Sequence, residues 1–221
     1  MHLSSFKYAL MTPKGNNFFE FNLKAFRICP GTLAGKTILD VGASNLSLFG
    51  RHATRLGATV VSLDPQYYDL RTGFDLDVVH EIISVGAPEI GIPEVELLPI
   101  RSNVAAIAQE IPFADNSFDM VVSFACVPQY IPVDDYSKVL HEMLRVTKQG
   151  GSIHLAPVNT SDELYPHGHG VYTSPCYELY EAGAFTSALL GLDVETAFHP
   201  YEFEEHGDFD QRGLIITKPI S

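Results

Sequence analysis

Basic residues are scarce in this sequence. Fourteen Lys and Arg residues stand against 27 Asp and Glu, which gives a formal net charge of −13. No basic run occurs, and proteins that bind nucleic acid contact its phosphates with clustered Lys and Arg. We therefore expect no nucleic-acid partner.

Cysteine and long apolar runs are also scarce. The three cysteines (Cys29, Cys126 and Cys176) are widely spaced and form no Cys-x-x-Cys pair. They predict reduced thiols that act as small core residues rather than a disulfide framework. The longest apolar run, around Met120–Val127, is too short to span a bilayer, and residues 1–17 lack the apolar core of a signal peptide. We therefore expect a cytoplasmic protein with no membrane partner.

The composition is that of a folded domain. The chain has 221 residues, of which 46% are hydrophobic and 11% aromatic, and this excludes a mainly disordered chain. No repeat or internal linker is visible. We expect residues 35–221 to form one domain, preceded by residues 1–34 as an arm, cap or lid that contains a helix over about Phe18–Ile28.

The stretch Thr37–Pro65 predicts a strand, a glycine turn, a helix and a second strand. Thr37–Val41 is a short apolar run that ends at Gly42, which is typical of a buried parallel strand. Apolar residues then recur at helical spacing, at Leu46, Phe49, Ala53 and Leu56. Val60–Leu63 forms the second strand and is followed by Asp64, where a carboxylate can accept hydrogen bonds from both hydroxyls of a ribose. The stretch therefore predicts a nucleoside-binding βαβ unit.

The glycine turn distinguishes between nucleosides. A dinucleotide-binding loop has a second glycine that lets the backbone approach a pyrophosphate, and Ser44 stands at that position here. The third glycine position falls on Leu46, or on Ser47 if the loop is one residue longer. A Cβ at Ser44 would crowd a pyrophosphate, but S-adenosylmethionine has none. The loop argues against NAD and leaves the sulfonium cofactor open.

Four motifs together resemble class I S-adenosylmethionine-dependent methyltransferases of the small-molecule, type 11-like variety. They are LDVGAS, SLDP, EIPFADNSFDMVVSFACV and HEMLRVTKQGGSIHLAPV, within about Thr37–Val158. The resemblance implies a Rossmann-like, doubly wound α/β fold, with a mainly parallel seven-stranded sheet that ends in an antiparallel hairpin. It also implies methyl transfer from S-adenosyl-L-methionine to a small-molecule substrate. The chain departs from the family at Ser44, usually glycine, and at Asn103, often acidic.

The resemblance also implies a set of cofactor-binding residues at the strand ends. Gly42, Ala43 and Ser44 would approach the methionine part, and Asp64 would bind the ribose. Asn103 and Val104 would meet the adenine, although Asn103 could equally be a plain turn residue. Phe124 would border the sulfur. The remaining members of the predicted set are Asp40 and Pro65.

The predicted acceptor-binding residues lie farther along the chain. Tyr130 is one of them, and the others lie in the polar loop Asn159–Thr173: His167, His169 and Tyr172. A histidine in this loop could act as a general base, and the alternative is a flexible loop with incidental histidines. One His-x-His pair with no third ligand nearby does not predict a metal site. The residues indicate no specific catalytic group.

Other segments complete the predicted sheet. Asp134–Val146 predicts a helix with an Asp cap, and its His141, Glu142 and Arg145 form a solvated side rather than a triad. Asp119 is predicted to be structural. The remaining predicted elements are a helix over Asp75–Val85, a loop at Gly86–Pro93, the strands Glu96–Val104, Met120–Phe124, Ser152–Pro157, Val194–Phe203 and Gly213–Lys218, and a helix from Ser174 to about Leu190.

Two alternatives to an active methyltransferase remain open at this point. The first is a catalytically silent relative that acts as a binding or interaction module, which the changes at Ser44 and Asn103 favour. The second is an NAD(P)-dependent oxidoreductase, which Ser44 and the lack of a Tyr-x-x-x-Lys pair disfavour. Within the methyltransferases, Ala125–Tyr130 replaces the Asn- or Asp-Pro-Pro-Tyr/Phe motif, and this disfavours methylation of nucleobase or amide nitrogen.

Overall fold

The fold is seen in a computed structural model that describes residues 17–43, 47–65, 67, 103–158, 182–200 and 212–220. The helices within these ranges are α1 (Asn17–Phe26), α2 (Leu48–Arg55), α3 (Tyr136–Val146) and α4 (Ala182–Leu190). The strands are β1 (Thr37–Val41), β2 (Thr59–Leu63), β3 (Asn103–Val104), β4 (Phe118–Phe124), β5 (Thr147–Val158), β6 (Glu195–Pro200) and β7 (Arg212–Thr217). The predicted helix Asp75–Val85 and the loops Gly86–Pro93 and Asn159–Thr173 lie outside the described residues.

The strands form one sheet with the order β3-β2-β1-β4-β5-β7-β6. The first five strands in this order are parallel to one another, whereas β7 runs antiparallel to both β5 and β6. The predicted doubly wound, mainly parallel sheet with a final antiparallel hairpin is confirmed. The chain reverses its direction of travel across the sheet between β1 and β4, and in such sheets ligands bind beyond the carboxyl ends of the strands at this point.

One face of the sheet is covered by α3 and α4. Val139, Leu140 and Met143 on α3 are fully buried against this face, as helical spacing of apolar residues requires. The ring of Tyr136 meets that of Phe185 on α4 edge to face, with centroids 5.4 Å apart. These helices therefore stabilise the sheet on the side opposite α1 and α2.

The other face is covered by α1 and α2, in a layer rich in phenylalanine. The ring of Phe26 contacts Phe49 of α2 at 5.6 Å and Phe124 at the end of β4 at 6.1 Å. Phe19 and Phe21 are buried in the same cluster. The predicted helix is confirmed, and its aromatic rings pack it against the sheet and against α2.

Two histidines hold the last turn of α1. The ring Nδ1 of His154 on β5 lies 2.7 Å from the carbonyl oxygen of Phe26, and Nε2 of His199 on β6 lies 2.9 Å from that of Ala25. The final carbonyls of a helix have no partner within the helix, so these contacts satisfy them. Burial lowers the pKa of His154 to about 4, and the ring is therefore a neutral donor at neutral pH.

Three local predictions were wrong, two of them at element boundaries. A 3₁₀ turn occupies Val133–Asp135, so α3 begins only at Tyr136 and no aspartate side chain caps it. Strand β5 follows α3 directly and runs through Gly150 and Gly151, which the sequence placed before the strand. Cys29 is exposed and is not a core residue.

On the side of α3 predicted to be solvated, His141 is exposed, whereas Glu142 and Arg145 are half-buried and hold the turn before β4. Arg145 donates to the carbonyl oxygens of Phe113 and Ile111, at 2.7 and 2.8 Å, and its Nε pairs with Glu142 at 2.8 Å. Glu142 in turn accepts from the Ile111 amide at 2.9 Å. Asp119 accepts from the amide and hydroxyl of Thr37, which confirms its structural role.

Candidate functional site

The turn at Gly42 joins the carboxyl ends of three strands. Its φ of +73° lies in the left-handed region that favours glycine, and its amide donates to the carbonyl oxygen of Leu63 at 2.8 Å. A Cβ at this position would lie 2.3 Å from both the Cβ and the Sγ of Cys126, in the turn after β4. Gly42 therefore lets β1, β2 and β4 meet without a side chain between them.

Asp64 lies at this edge, directly after β2. Its side chain is buried, with 7% of the residue exposed. Its amide donates to the carbonyl oxygen of Val104 at 3.1 Å, and its own carbonyl oxygen accepts from the Tyr67 amide at 3.2 Å. The backbone of β3 thus holds a buried carboxylate next to the glycine turn, as the ribose-binding hypothesis requires.

A second buried carboxylate, Asp40, belongs to β1. It accepts a hydrogen bond from the backbone amide of Gly50 in the first turn of α2, where unpaired amides favour a negative charge. Burial, followed by the nearby charge of Asp64, raises the pKa of Asp40 to about 7. Two buried carboxylates therefore lie at adjacent strand ends, and that of Asp40 holds the start of α2.

A buried polar cluster adjoins the two carboxylates. The hydroxyls of Ser47 and Tyr67 lie 2.5 Å apart, and Ser47 also donates to the side-chain oxygen of Asn103 at 3.4 Å. Burial raises the pKa of Tyr67, so its hydroxyl stays protonated. Asn103 lies on β3 and is not a plain turn residue. Its contact with adenine remains a prediction.

Sequence reasoning did not assign Tyr67 to the site. Tyr67 follows the SLDP motif, in a tract without readable periodicity, and only its position three residues after Asp64 could have indicated it. Ser47 had appeared only as a possible third glycine position. Cys126 had been predicted only as a core thiol, and its close approach to Gly42 joins residues far apart in sequence.

The turn after β4 forms the other side of the edge. The hydroxyl of Ser123 donates to the carbonyl oxygen of Val41 at 2.9 Å and accepts from the amide of Val127 at 3.1 Å. Phe124, predicted to border the sulfur, is half-buried and meets Phe21 edge to face at 5.6 Å. The end of β4 is thus held against both β1 and α1.

Two side chains follow in the same turn. Gln129 is 1% exposed; its Nε2 donates to the carbonyl oxygen of Pro157 at the end of β5, and its Oε1 has no partner among the described residues. Tyr130, a predicted acceptor-binding residue, is 40% exposed. Its amide donates to the carbonyl oxygen of Cys126 at 2.7 Å. The turn therefore places a buried amide oxygen near an accessible phenol.

Apart from Tyr130, which lies in the turn after β4, the predicted site residues fall into two groups. Those brought to one edge of the sheet are Asp40, Gly42, Ala43, Asp64, Pro65, Asn103, Val104 and Phe124. Ser44, His167, His169 and Tyr172 lie outside the described residues. Within the described part of the chain, no group of three or more His, Cys, Asp or Glu could hold a metal ion, and no helix is long and apolar enough to cross a membrane.

Relatives of known function resemble this chain over part of their length. A demethylmenaquinone methyltransferase from Renibacterium salmoninarum is 35% identical over 130 residues, which cover 57% of this chain and 43% of that protein. A ubiquinone/menaquinone biosynthesis C-methyltransferase from Vibrio cholerae is 27% identical over 156 residues, covering 69% of this chain and 53% of that protein. The chain thus matches about half the length of these curated relatives.

Solved structures share the fold at low sequence identity. A SAM-dependent methyltransferase from Methanosarcina mazei has a TM-score of 0.52 at 18% identity, covering 84% of this chain and 93% of that one. The YcgJ protein from Bacillus subtilis has a TM-score of 0.52 at 15% identity, covering 85% of this chain and 94% of that one. At such identities the likeness shows the fold alone.

The family itself is shown by a match in sequence. The model of the methyltransferase domain family matches residues 39–155, more than half of the chain. The match begins in β1, ends in β5 and includes Gly42, Asp64 and the turn after β4. The resemblance identified from the four motifs is therefore confirmed, and the chain belongs to the methyltransferase domain family.

Proposed function

We propose that this protein transfers a methyl group from S-adenosyl-L-methionine to a small-molecule acceptor. The observation that carries the proposal is the buried carboxylate of Asp64 at the end of β2, beside the positive-φ turn at Gly42. A carboxylate there can accept hydrogen bonds from both ribose hydroxyls of a nucleoside. Membership of the methyltransferase domain family supports the sulfonium nucleoside over NAD.

In this proposal each strand end holds one part of the cofactor. Asp64 binds the ribose, Asn103 and the Val104 backbone meet the adenine, and the turn at Gly42 approaches the methionine part. The bound cofactor supplies an activated methyl group. The protein's contribution is to align the acceptor with the S–CH₃ bond and to exclude water, and orientation alone can supply about 7–11 kcal/mol of the barrier.

The acceptor we propose to test first is a quinone-type ring in its reduced form. One named relative is a demethylmenaquinone methyltransferase and the other a C-methyltransferase of ubiquinone and menaquinone biosynthesis, although this chain matches only about half of each. The exposed phenol of Tyr130 lies beside the end of β4, where such a ring could lie. Incubation with labelled cofactor and a panel of reduced quinones, simple phenols and a metabolite extract would identify the acceptor by transfer of the label.

The cofactor assignment is tested by the variant Asp64→Ala. Calorimetric titration with S-adenosylhomocysteine should show saturable binding to the wild type and at least about tenfold weaker binding to the variant, because a hydrogen-bonded charged partner contributes about 1.5–3 kcal/mol. Far-UV circular dichroism should show that the fold is retained.

Asp134→Ala is the matched control. Asp134 is an exposed carboxylate in the 3₁₀ turn before α3, so its removal should leave the affinity unchanged. Equal affinity in Asp64→Ala and wild type would refute the ribose assignment. Absence of saturable binding to the wild type would favour the silent interaction module instead, and tight NADH binding would favour the oxidoreductase.

A further inference from the structure

Asn22 is a buried side chain that the fold leaves without a partner. It lies in α1 and is 0% exposed, and neither its Nδ2 nor its Oδ1 has a hydrogen-bond partner among the described residues. A buried amide in a helix can bond back to a carbonyl of the preceding turn, but Asn22 does not. Leaving such a group unpaired is costly, and in native proteins it is explained by strain, by a bound water or ion, or by a functional role.

The direction of Asn22 follows from its neighbours on the helix. It lies three residues after Phe19 and four before Phe26, and residues so spaced share one helix face. Both of these rings contact Phe49, with centroids 5.6 Å away in each case. Phe49 is the second residue of α2, which begins just after the glycine-turn loop. Asn22 thus lies on the face of α1 directed at the start of α2.

The neighbouring contacts place α1 on one side of the candidate site. Phe21 and Phe26 meet Phe124 at the end of β4, and the carbonyl of Phe26 is bonded to His154 of β5. The residues expected to hold the adenosine follow β2 and β3, on the opposite side of β1. The amino-acid end of the cofactor would therefore extend toward α1.

We propose that the side-chain amide of Asn22 binds the amino-acid end of S-adenosylmethionine. Its Nδ2 donates to the carboxylate and its Oδ1 accepts from the ammonium group. An amide is suited to this pair, since it presents a donor and an acceptor side by side and the amino acid carries one group of each complementary kind. The assignment rests on the proposed function and extends it to a residue before β1.

The test compares two ligands on one variant. S-adenosylhomocysteine carries the amino-acid end, whereas 5′-methylthioadenosine keeps the adenine, ribose and sulfur but lacks it. Calorimetric titration of Asn22→Leu should show about tenfold or greater loss of affinity for S-adenosylhomocysteine and less than twofold change for 5′-methylthioadenosine, because charge-assisted hydrogen bonds are lost only for the first ligand.

Leu23→Ala is the control for helix packing. Leu23 is a buried apolar neighbour on α1, so this variant should be less stable while the ratio of the two affinities stays at the wild-type value. If the wild type binds both ligands but Asn22→Leu weakens neither, or weakens both equally, the role of Asn22 is disproved and the methyltransferase proposal stands. A wild type that binds neither ligand refutes both. Unchanged S-adenosylhomocysteine affinity with a raised KM for an acceptor would place Asn22 at the acceptor instead and overturn the assignment.

Discussion

Gly42 is constrained at the residue scale by two independent features. Its φ is positive, and the space that a Cβ would fill belongs to Cys126. The first feature restricts the backbone, and the second restricts the volume between β1 and β4. No other residue type combines an unstrained positive φ with the absence of a Cβ. The sequence alone indicated the glycine turn but not the contact with Cys126.

The variant Gly42→Ala should therefore be strongly destabilised. We expect a loss of about 3 kcal/mol or more in the free energy of unfolding, measured by urea denaturation, because backbone strain and overpacking each cost about 1–3 kcal/mol. The double variant Gly42→Ala/Cys126→Gly should recover only the part of the unfolding free energy that is lost through overpacking.

Gly183→Ala serves as the control for this experiment. Gly183 lies in α4 with nothing within 4 Å of a Cβ, so alanine should stabilise the helix by up to about 1 kcal/mol. A Gly42→Ala protein as stable as the wild type would show that the turn can relax away from Cys126.

The buried carboxyl of Asp40 should make stability depend on pH. Its folded pKa of about 7 lies above the ordinary 3.8, so the folded state holds the proton more tightly than the unfolded chain. Its contribution to stability is therefore fully present below about pH 4 and is lost as the pH rises through about 7.

The variant Asp40→Asn removes this titration while its side-chain oxygen can still accept from Gly50. The stability of the variant relative to wild type, measured by urea unfolding, should rise by about 1–3 kcal/mol between pH 5 and pH 8. If the free energies of unfolding of the two proteins change with pH in parallel, Asp40 is already ionised at pH 5.

At the scale of elements, α3 is joined to the turn before β4 by side chains rather than by packing alone. Arg145 donates to two backbone carbonyls of that turn and to two carboxylates, Asp115 and Glu142. The guanidinium can satisfy these separate acceptors because its donors lie in a fixed plane. A lysine keeps the charge but cannot reach them together.

Arg145→Lys should therefore cost about 1–2 kcal/mol in unfolding free energy. The exposed Lys138 on the same helix provides the comparison, since Lys138→Ala should change stability by less than about 0.5 kcal/mol. Thermal and urea unfolding of the two variants would measure the difference. Equal stabilities would mean that water replaces the guanidinium at the Ile111 and Phe113 carbonyls.

Element types were predictable from the sequence where a segment is buried and periodic. Thr37–Val41 matches β1 residue for residue, and the buried face of α3 was identified because helical spacing places those residues together. The start of α3 was missed because the side chain of Asp135 accepts from Gln109 instead of capping the helix. The early start of β5 was missed because the amide of Gly150 pairs with Lys218, a residue far away in the sequence. Sequence patterns do not report such tertiary effects.

The candidate site was predictable to the same extent. Gly42 and Asp64 were identified from their positions after predicted strands, and the fold brings those strand ends together. The contact of Ser47 with Tyr67 and the burial of Asn22 were not predictable, because both depend on how segments distant in sequence pack together. Buried polar residues carry no periodic signal of their own.

At the scale of the whole molecule, the strands of the sheet differ in how well they are protected against local unfolding. β1, β4 and the second half of β5 pair on both sides and are mostly buried. Among the described strands, β6 pairs only with β7, and five of its six residues are exposed. The most buried elements of a protein open only when the whole fold unfolds, whereas less buried elements open locally. The central strands should therefore form the most stable unit.

Hydrogen exchange followed by mass spectrometry tests this expectation. Amides of β1, β4 and the second half of β5 should exchange slowest, at rates set by global unfolding, and those of β6 should exchange through local opening. Arg145→Lys should speed exchange in β4 and the turn before it. Uniform exchange rates across all strands would contradict this ranking.

The position of β7 has a consequence for biosynthesis. This strand comes last in chain order among the seven, yet it lies between β5 and β6 and supplies both with their antiparallel partner. While a ribosome has not yet released residues 212–217, β6 has no neighbour to join and β5 presents an open edge. A nonsense codon ahead of Arg212 would therefore remove a strand from inside the sheet, and the nascent product would be a substrate for chaperones and proteases.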